Sequence, residues 1–229
     1  MIQKIMDLLI RPDSFFSEKA NEPENLKIPG LIVLIGAILA ALAAYQVSGL
    51  TARIFSQAAT AGMSSIIGII GAISGLLGFI ILWWLIVTGI FFLVSMVFSG
   101  KGSFKRTLEN VGYGLVPMIF GSFVTLLLSF YYLPMVRVPV VHSIQDPAAM
   151  QQAVMQLTQD PSFREFTQVS TIIALIFLIW SANVWIFGIK YARELSLRNA
   201  IITVGIPVLL YIVYMLYTIF AGFPIAGGA

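Results

Sequence analysis

The sequence predicts an all-α fold, an integral membrane bundle of five transmembrane helices. Hydrophobic residues make up 59% of the 229 residues and charged residues only 10%, and the mean hydropathy is +0.96. A soluble domain carries about 25% charged residues, so this composition indicates a membrane protein. Five apolar segments are each long enough to cross the hydrocarbon core, and none of the five contains a charged residue or a histidine.

The chain divides into a cytoplasmic N-terminal segment, residues 1–27, and a five-helix transmembrane domain, residues 28–229. Lys4 and Asp7 interrupt the apolar start of the chain, so we expect no cleaved signal peptide. Four apolar residues recur at helical spacing and predict a short interfacial helix: Ile2, Ile5, Met6 and Leu9. A helix docked on the protein's own cytoplasmic side fits the same spacing equally well.

A polar connector should join that helix to the first span. Arg11 precedes Pro12, and the residue before a proline is disfavoured in the α region, so the helix should end there. We expect residues 13–27 to form the connector, with Phe15 and Phe16 at the depth of the lipid headgroups.

The predicted spans are residues 28–50, 66–98, 112–133, 168–189 and 199–220. The second span is longer than a helix needs to be to cross a hydrocarbon core of about 30 Å, so it should tilt, bend or begin outside the membrane. Its glycines are the expected points of bending or close packing: Gly68, Gly71, Gly75 and Gly78. Pro117 inside the third span predicts a kink, and the fifth span contains Pro207.

The long connection between the third and fourth spans, residues 134–167, predicts an amphipathic helix in an external loop. Asp146-Pro147 and Asp160-Pro161 each match an N-cap followed by proline at the first helical position. Between them Met150, Val154 and Leu157 form an apolar stripe. The helix would lie on the membrane or fold back over the bundle.

The distribution of basic residues predicts the orientation. Five spans place the N-terminus and the second and fourth loops on one side, which carries ten of the 13 basic residues: Lys4, Arg11, Lys19, Lys27, Lys101, Lys105, Arg106, Lys190, Arg193 and Arg198. The other side carries Arg53, Arg137 and Arg164. Because cytoplasmic loops are enriched in Lys and Arg, we expect a cytoplasmic N-terminus, an external C-terminus and a multi-pass location in the cell membrane.

The basic loop at residues 99–117 connects the second and third spans and resembles a later stretch of the chain. A constant shift of 93 residues aligns Ser103 with Ser196 and Gly112 with Gly205. Pro117 and Pro207 fall about one helical turn out of that register. Two hairpins related by an axis along the membrane normal would explain the match. Convergence of helix starts on Ser, basic and small residues would explain it as well.

The residues predict no catalytic, cofactor or metal site. The chain has no cysteine, and its one histidine, His142, lies beside Ser143 in the external loop, where adjacent residues rarely converge as a catalytic pair. Neither His-rich nor carboxylate-rich spacing suggests a metal ion. Asn183 is the most polar residue of the spans, and a hydrogen bond with Thr88 on the second helix is the favoured role for it over contact with a ligand.

Two sets of residues remain as candidates for interaction and structure. Basic residues at the cytoplasmic ends of the spans are candidates for contact with a partner or with anionic lipid headgroups, although orientation alone accounts for them: Lys101, Lys105, Arg106, Lys190, Arg193 and Arg198. Residues of the two related hairpins form a candidate structural motif: Ser103, Gly112, Tyr113, Pro117, Ser196, Gly205 and Pro207. Ser103 is the expected N-cap of the third helix.

Three stretches resemble the YIP domain family, membrane proteins named for interacting with Ypt/Rab GTPases, and its bacterial and archaeal branch in particular. They are Arg-Pro-Asp-Ser-Phe-Phe at residues 11–16, Gly-Lys-Gly-Ser-Phe-Lys-Arg-Thr-Leu at residues 100–108, and Gly-Tyr-Gly-Leu-Val-Pro at residues 112–117. The resemblance implies a non-enzymatic multi-pass protein that acts through partners or the bilayer. Eukaryotic relatives carry a long cytoplasmic region before the spans, so with residues 1–27 there we do not expect small-GTPase binding.

Two functions fit these features. The first is a scaffold for membrane organisation or trafficking, whose Gly- and Ala-rich helix faces pack with another membrane protein or with a second copy. The alternative is a transporter or channel component for a lipidic or small hydrophobic solute. Basic residues spread over several short loops form no basic stripe, so nucleic acid is not an expected partner.

The orientation can be tested by adding one cysteine after Ala229, because the chain has none of its own. We expect a membrane-impermeant maleimide to label it from outside intact cells. Labelling only after the cytoplasmic side is exposed would contradict the predicted topology.

Overall fold

The computed structural model describes residues 2–56, 62–139, 141 and 146–221, and these residues form helices without strands. The ten α-helices in these ranges are α1 (Ile2–Ile10), α2 (Pro12–Ala20), α3 (Lys27–Ser56), α4 (Gly62–Gly78), α5 (Val87–Val97), α6 (Phe104–Gly114), α7 (Val116–Tyr132), α8 (Pro147–Gln159), α9 (Pro161–Ala192) and α10 (Leu197–Ala221). A π-helix, Phe79–Ile86, joins α4 to α5, and a 3₁₀ turn, Leu133–Met135, follows α7.

Five helical stretches in the described ranges are long and apolar enough to cross a membrane, which confirms the five predicted spans. They are Lys27–Ile54, Ser65–Val97, Phe104–Met135, Pro161–Ala192 and Leu197–Ile219. The third and fourth begin seven or eight residues before the predicted positions, at residues 104 and 161 rather than 112 and 168. The earlier starts follow from the N-caps Ser103 and Asp160, whose side chains accept hydrogen bonds from the first backbone N–H groups.

The N-terminal segment differs from the predicted connector. α1 ends at Ile10 as expected, but Pro12 begins a second helix, α2, because proline suits the first helical position. Phe16 on α2 is fully buried and packs into the protein core, and its depth in the membrane stays a prediction. Of the predicted apolar face of α1, Ile5 and Met6 are exposed, and the residue buried against the protein is Leu8.

The second span changes its helical geometry midway. The π-helix Phe79–Ile86 follows directly after Gly78, the last residue of α4. The predicted close packing of Gly71 and Gly75 is confirmed, because a Cβ at either position would collide with α3. At Gly75 that Cβ would lie 2.6 Å from the carbonyl oxygen of Ala40.

The third span is interrupted two residues before Pro117. α6 ends at Gly114, α7 begins at Val116, and the N–H of Leu115 donates to the carbonyl of Gly112 at 3.3 Å. Proline lacks the N–H that would bond to the residue four positions earlier, so the helical hydrogen bonding lapses on its N-terminal side. α10, by contrast, continues through Pro207 without interruption.

The described helices fall into two compact units. The first contains Met1–Val33, Ile81–Met118 and Leu175–Ala229, and it therefore includes the N-terminal helices. Its core packs Leu8 and Phe16 against three residues of later helices: Tyr113, Val116 and Val184. The N-terminal helices are thus part of the packed core of this unit.

The second unit contains Leu34–Ile80 and Ile119–Ala174. Within it α8 is capped by Asp146, as predicted, and it folds back onto the unit's own core. Ala153 and Leu157 are buried there, whereas Val154 is exposed, so the predicted stripe included one wrong residue. His142 and Ser143 lie outside the described residues.

Substitution of Gly75 tests the packing of α4 on α3. We expect Gly75→Ala to lower the free energy of unfolding by about 1–3 kcal/mol, because the added methyl group overpacks against Ala40 and Ala44. Gly78→Ala is the control, since a Cβ there meets nothing within 4 Å. It should leave stability unchanged or raise it by up to about 1 kcal/mol through helix propensity. Equal effects in denaturant titrations of detergent-solubilised protein would contradict the packing.

Candidate functional site

The candidate site is the buried first half of the third span and the charged residues that surround it. Ser103 begins α6 as the expected N-cap, its Oγ accepting from the N–H of Arg106 at 2.9 Å. The eight residues from Thr107 to Gly114 are all buried, although they include Glu109 and Asn110. A helix surrounded by protein on all sides must satisfy these polar groups internally.

Glu109 is the centre of a four-charge cluster. Its side chain has no exposed surface, and Arg106 Nη1 donates to its Oε2 at 3.0 Å. Lys19 Nζ, on α2, lies 3.1 Å from Oε1, an ionic contact rather than an aligned hydrogen bond. The same ammonium donates to Glu22 Oε2 at 2.8 Å. Two cations thus balance two anions, which makes burial of the carboxylate tolerable.

The cluster shifts the pKa values of Lys19 and Glu22, its two members from the N-terminal segment. The hydrogen bond from Lys19 holds the pKa of Glu22 below its ordinary value. Burial by itself lowers the pKa of Lys19, but its hydrogen bond to Glu22 and its ionic contact with Glu109 outweigh that effect and raise it. Both groups therefore remain charged at neutral pH.

Arg106 extends the cluster to the backbone at the end of α2. Its guanidinium donates to the carbonyl of Lys19 at 3.3 Å and to the carbonyl of Glu22. The carbonyl of Lys19 belongs to the last turn of α2, and Glu22 lies two residues beyond the helix, so this arginine binds the helix end and the segment that follows it. One side chain on α6 thereby holds both the charges and the backbone of α2.

A second contact ties the start of α2 to α9. Lys190 Nζ donates to Asp13 Oδ1 at 2.7 Å, and the Tyr191 hydroxyl donates to the same oxygen at 3.0 Å. The hydrogen bond from Lys190 lowers the pKa of Asp13. α2 is therefore held to α6 at its C-terminal end and to α9 at its N-terminal end.

Arg193 organises the loop before α6. It is buried, and it donates to Ser95 Oγ at 2.8 Å, to the carbonyl of Gly100 at 2.6 Å and to the carbonyl of Gly102. Its guanidinium also lies 4.2 Å from the ring centre of Phe92. Gly102 has a φ of +93°, which favours glycine. Arg193 therefore determines the conformation of the loop.

The six predicted basic residues consequently fall into two groups. Arg106 and Arg193 are bound to intramolecular partners, and Lys190 is paired with Asp13. The other three basic residues are exposed: Lys101, Lys105 and Arg198. Contact with a lipid headgroup or a partner stays a prediction for the set, and the exposed three are best placed for it.

The two related hairpins share their helix starts. Ser196 Oγ accepts from the N–H of Asn199 at 3.3 Å, as Ser103 Oγ does from Arg106. Their glycines differ, because Gly112 faces Pro29 and Trp84, while a Cβ at Gly205 would meet nothing within 4 Å. The repeat stays a prediction that rests on the capped helix starts.

Tyr113, the remaining residue of the predicted motif, is buried in the core of the first unit. Its ring centre lies 5.3 Å from that of Phe15, and Lys19 Nζ lies 6.0 Å from it. The predicted bond between Asn183 and Thr88 is wrong. Asn183 is exposed, and the Thr88 hydroxyl donates to the carbonyl of Trp84 in its own helix.

Two tryptophans and one asparagine hold α6 in ways that its sequence did not indicate. Leu115 bonds to Gly112 rather than Val111, so the carbonyl of Val111 accepts from Trp185 Nε1 at 3.0 Å. Trp84 Nε1 donates to the carbonyl of Leu108 at 2.9 Å. Asn110 Nδ2 donates to the carbonyl of Gly188 at 2.9 Å. Ser103 was expected as the N-cap of this helix, but the span was drawn from residue 112, which left Glu109 and Asn110 outside it.

A cleft of about 420 Å³ opens beside the cluster in the first unit. Its lining includes both signs of charge, from Glu24, Arg106, Lys190 and Glu194, together with the hydroxyl groups of Ser103 and Tyr191. Ser103 Oγ donates to Glu24, whose carboxylate lies 4.0 Å from Lys105 Nζ. Within the described ranges no group of three His, Asp or Glu side chains is placed to hold a metal ion.

Comparison with known proteins gives one family and one relative. The sequence model described as the Yip1 domain matches residues 6–219. An uncharacterised protein of Methanocaldococcus jannaschii is 37% identical over 131 residues, which cover 57% of this chain and 92% of that protein. No solved structure is significantly similar to this chain.

Neutralising Glu109 tests the charge cluster. We expect Glu109→Gln to lower the free energy of unfolding by about 3 kcal/mol, because Lys19 and Arg106 would then face each other without the anion between them. Lys19→Met combined with Glu109→Gln should recover part of that loss, since the double variant restores the charge balance.

Lys105→Met serves as the control for this prediction. Lys105 is exposed and lies 4.0 Å from Glu24, so its removal should change stability by about 0.5 kcal/mol or less. Denaturant titration in detergent and hydrogen exchange of residues 12–20 would measure the effects. A loss at Glu109 no larger than that at Lys105 would show that the cluster does not hold α2.

Proposed function

The chain belongs to the Yip1 domain family, and from that membership we propose that it acts as a non-enzymatic scaffold in the membrane. It contacts another membrane protein or a second copy of itself, in a role in membrane organisation. We place it in the cell membrane, with residues 1–27 and the loops at residues 99–103 and 193–196 on the cytoplasmic side. The bias of Lys and Arg toward those loops supports this orientation.

The observation that carries the proposal is the rigid polar surface built by the charge cluster. The end of α2, the loop before α6 and the turn after α9 are each held by side-chain bonds, from Arg106 and from Arg193. Bonds at buried charges fix these segments relative to each other within the first unit. A fixed arrangement of exposed groups is what a protein partner can recognise without an ordering cost.

The groups this surface presents are charged and of both signs. Lys101, Lys105 and Arg198 are exposed on it, and Glu24 and Glu194 line the adjoining cleft. Electrostatic complementarity of this kind gives specificity and rapid association. The glycine-rich face of α4, in contrast, is occupied by α3, so we assign the partner contact to the polar surface.

Charge reversal of the exposed lysines and arginine tests the scaffold function. We expect Lys101→Glu, Lys105→Glu and Arg198→Glu together to reduce cross-linked partner or dimer in native membranes by at least fivefold. Arg137→Glu with Arg164→Glu is the control, because both residues are exposed and belong to the second unit. A monomer without any cross-linked partner in the unaltered protein, by cross-linking and by native mass spectrometry in lipid, would contradict the proposal.

A transporter or channel component for a lipidic or small hydrophobic solute is the second candidate. The π-helix Phe79–Ile86 and the interruption at Leu115 favour it, because transporters place substrate sites at broken membrane helices. Proteoliposome flux of fluorescent phospholipid decides between the two. Transport would be supported if the flux exceeds that of empty vesicles and the Pro117→Ala variant has a different flux. A flux no greater than that of empty vesicles would exclude transport of that probe.

A further inference from the structure

α1 has three distinct faces. Leu8, 1% exposed, and Leu9 pack against the core of the first unit. A second face is apolar and exposed, with Met6 at 53% and Ile10 at 69%, four residues apart. Ile5, 37% exposed, lies between Leu8 and Leu9 around the helix and belongs to the docked side. The third face is polar and carries Gln3, Lys4 and Asp7. A helix lying in a lipid–water interface has one apolar and one polar face, and α1 has in addition a face that packs against the protein.

A tryptophan contact places the end of α1 beside the fourth span. Trp180 Nε1 donates to the carbonyl of Leu9 at 3.2 Å. Four residues later, Asp13 accepts from Lys190. Trp180 precedes Lys190 by ten residues on α9, a length of about 15 Å at 1.5 Å per residue. The Leu9 carbonyl is therefore bound by a residue nearer the middle of α9 than the residue that binds Asp13.

The same bond satisfies a backbone group that water would satisfy at a surface. The last carbonyl groups of a helix have no partner within it, and Leu9 is the second-to-last residue of α1. In hydrocarbon such a carbonyl needs a protein donor, because no water is available. Trp180 supplies that donor from a span whose uncharged stretch surrounds it.

We propose that α1 is embedded in the acyl-chain region of one leaflet, with Met6 and Ile10 in contact with phospholipid tails. The occupant of the exposed apolar face is lipid because the face continues the lipid-facing surface of α9. Ile176, one turn before Trp180 on the same side of that span, is 58% exposed. Lys4 and the neighbouring Arg11 lie toward the headgroups, where cations favour anionic lipid.

This placement means that α1 adds protein volume to one leaflet only. The five spans cross both leaflets, whereas α1, with nine residues, is about 14 Å long and cannot cross. The charge cluster at α2 and the Trp180 bond hold this asymmetric element in place. The inference needs no protein partner and is independent of the proposed scaffold function.

Depth-dependent quenching tests the placement directly. The chain contains no cysteine, so single variants Met6→Cys, Ile10→Cys and Lys4→Cys can be labelled with bimane and reconstituted in vesicles of phosphatidylcholine and phosphatidylglycerol. We expect lipids with a doxyl group on the acyl chain to quench labels at positions 6 and 10 at least twofold more than aqueous iodide does. A label at position 4 should show the reverse preference.

Two reference positions calibrate the result. Ile176→Cys reports a lipid-facing site on a span, and Lys101→Cys reports an exposed loop. Iodide quenching at positions 6 and 10 equal to that at position 101 would overturn the inference, because α1 would then lie in water. Little quenching by either reagent would also overturn it, since protein rather than lipid would then cover the face.

Discussion

The buried carboxylate of Glu109 is the constraint on which the rest of the first unit depends. A charge without exposed surface in a membrane protein is costly, and here Lys19 and Arg106 neutralise it from two sides. Because Lys19 belongs to α2, the charge balance of the third span requires the N-terminal helices to be docked. Arg106 also donates to the carbonyl groups of Lys19 and Glu22, at and just beyond the end of α2. One ionic requirement therefore joins the N-terminal segment to the membrane domain.

α6, the first half of the third span, depends on hydrogen bonds with other helices because its own backbone hydrogen bonding is interrupted at its end. Pro117 has no N–H, α6 ends at Gly114, and the carbonyl of Val111 is left for Trp185. Asn110 of α6 donates to the carbonyl of Gly188 on α9, and Trp84 donates to the carbonyl of Leu108 from the second span. A helix so enclosed is rigid, which suits a surface that presents fixed charges to a partner. It also explains why the loop before it, held by Arg193, has a defined conformation.

Much of the fold follows from local sequence signals. Apolar length predicted all five spans, the Ser103 cap located one helix start, and aspartate followed by proline located the starts at Asp146 and Asp160. The small pair Gly71 and Gly75 predicted close packing on another helix. The sequence predicted only part of the candidate site. Its basic residues were identified, but Glu109 was placed outside the span because the apolar run begins after it.

The sequence by itself determined the number of spans, the helix caps and the family, because each depends on length, adjacent residues or short motifs. Only the tertiary structure decided that Arg106 and Arg193 face inward while Lys101 and Arg198 face outward. It also decided that Phe16 is a core residue and that Leu8, rather than Met6, is the docked side of α1. These outcomes depend on partners distant in sequence, such as Lys19 for Glu109 and Trp180 for Leu9. Periodicity along one helix cannot identify which neighbour will neutralise a charge or accept a hydrogen bond.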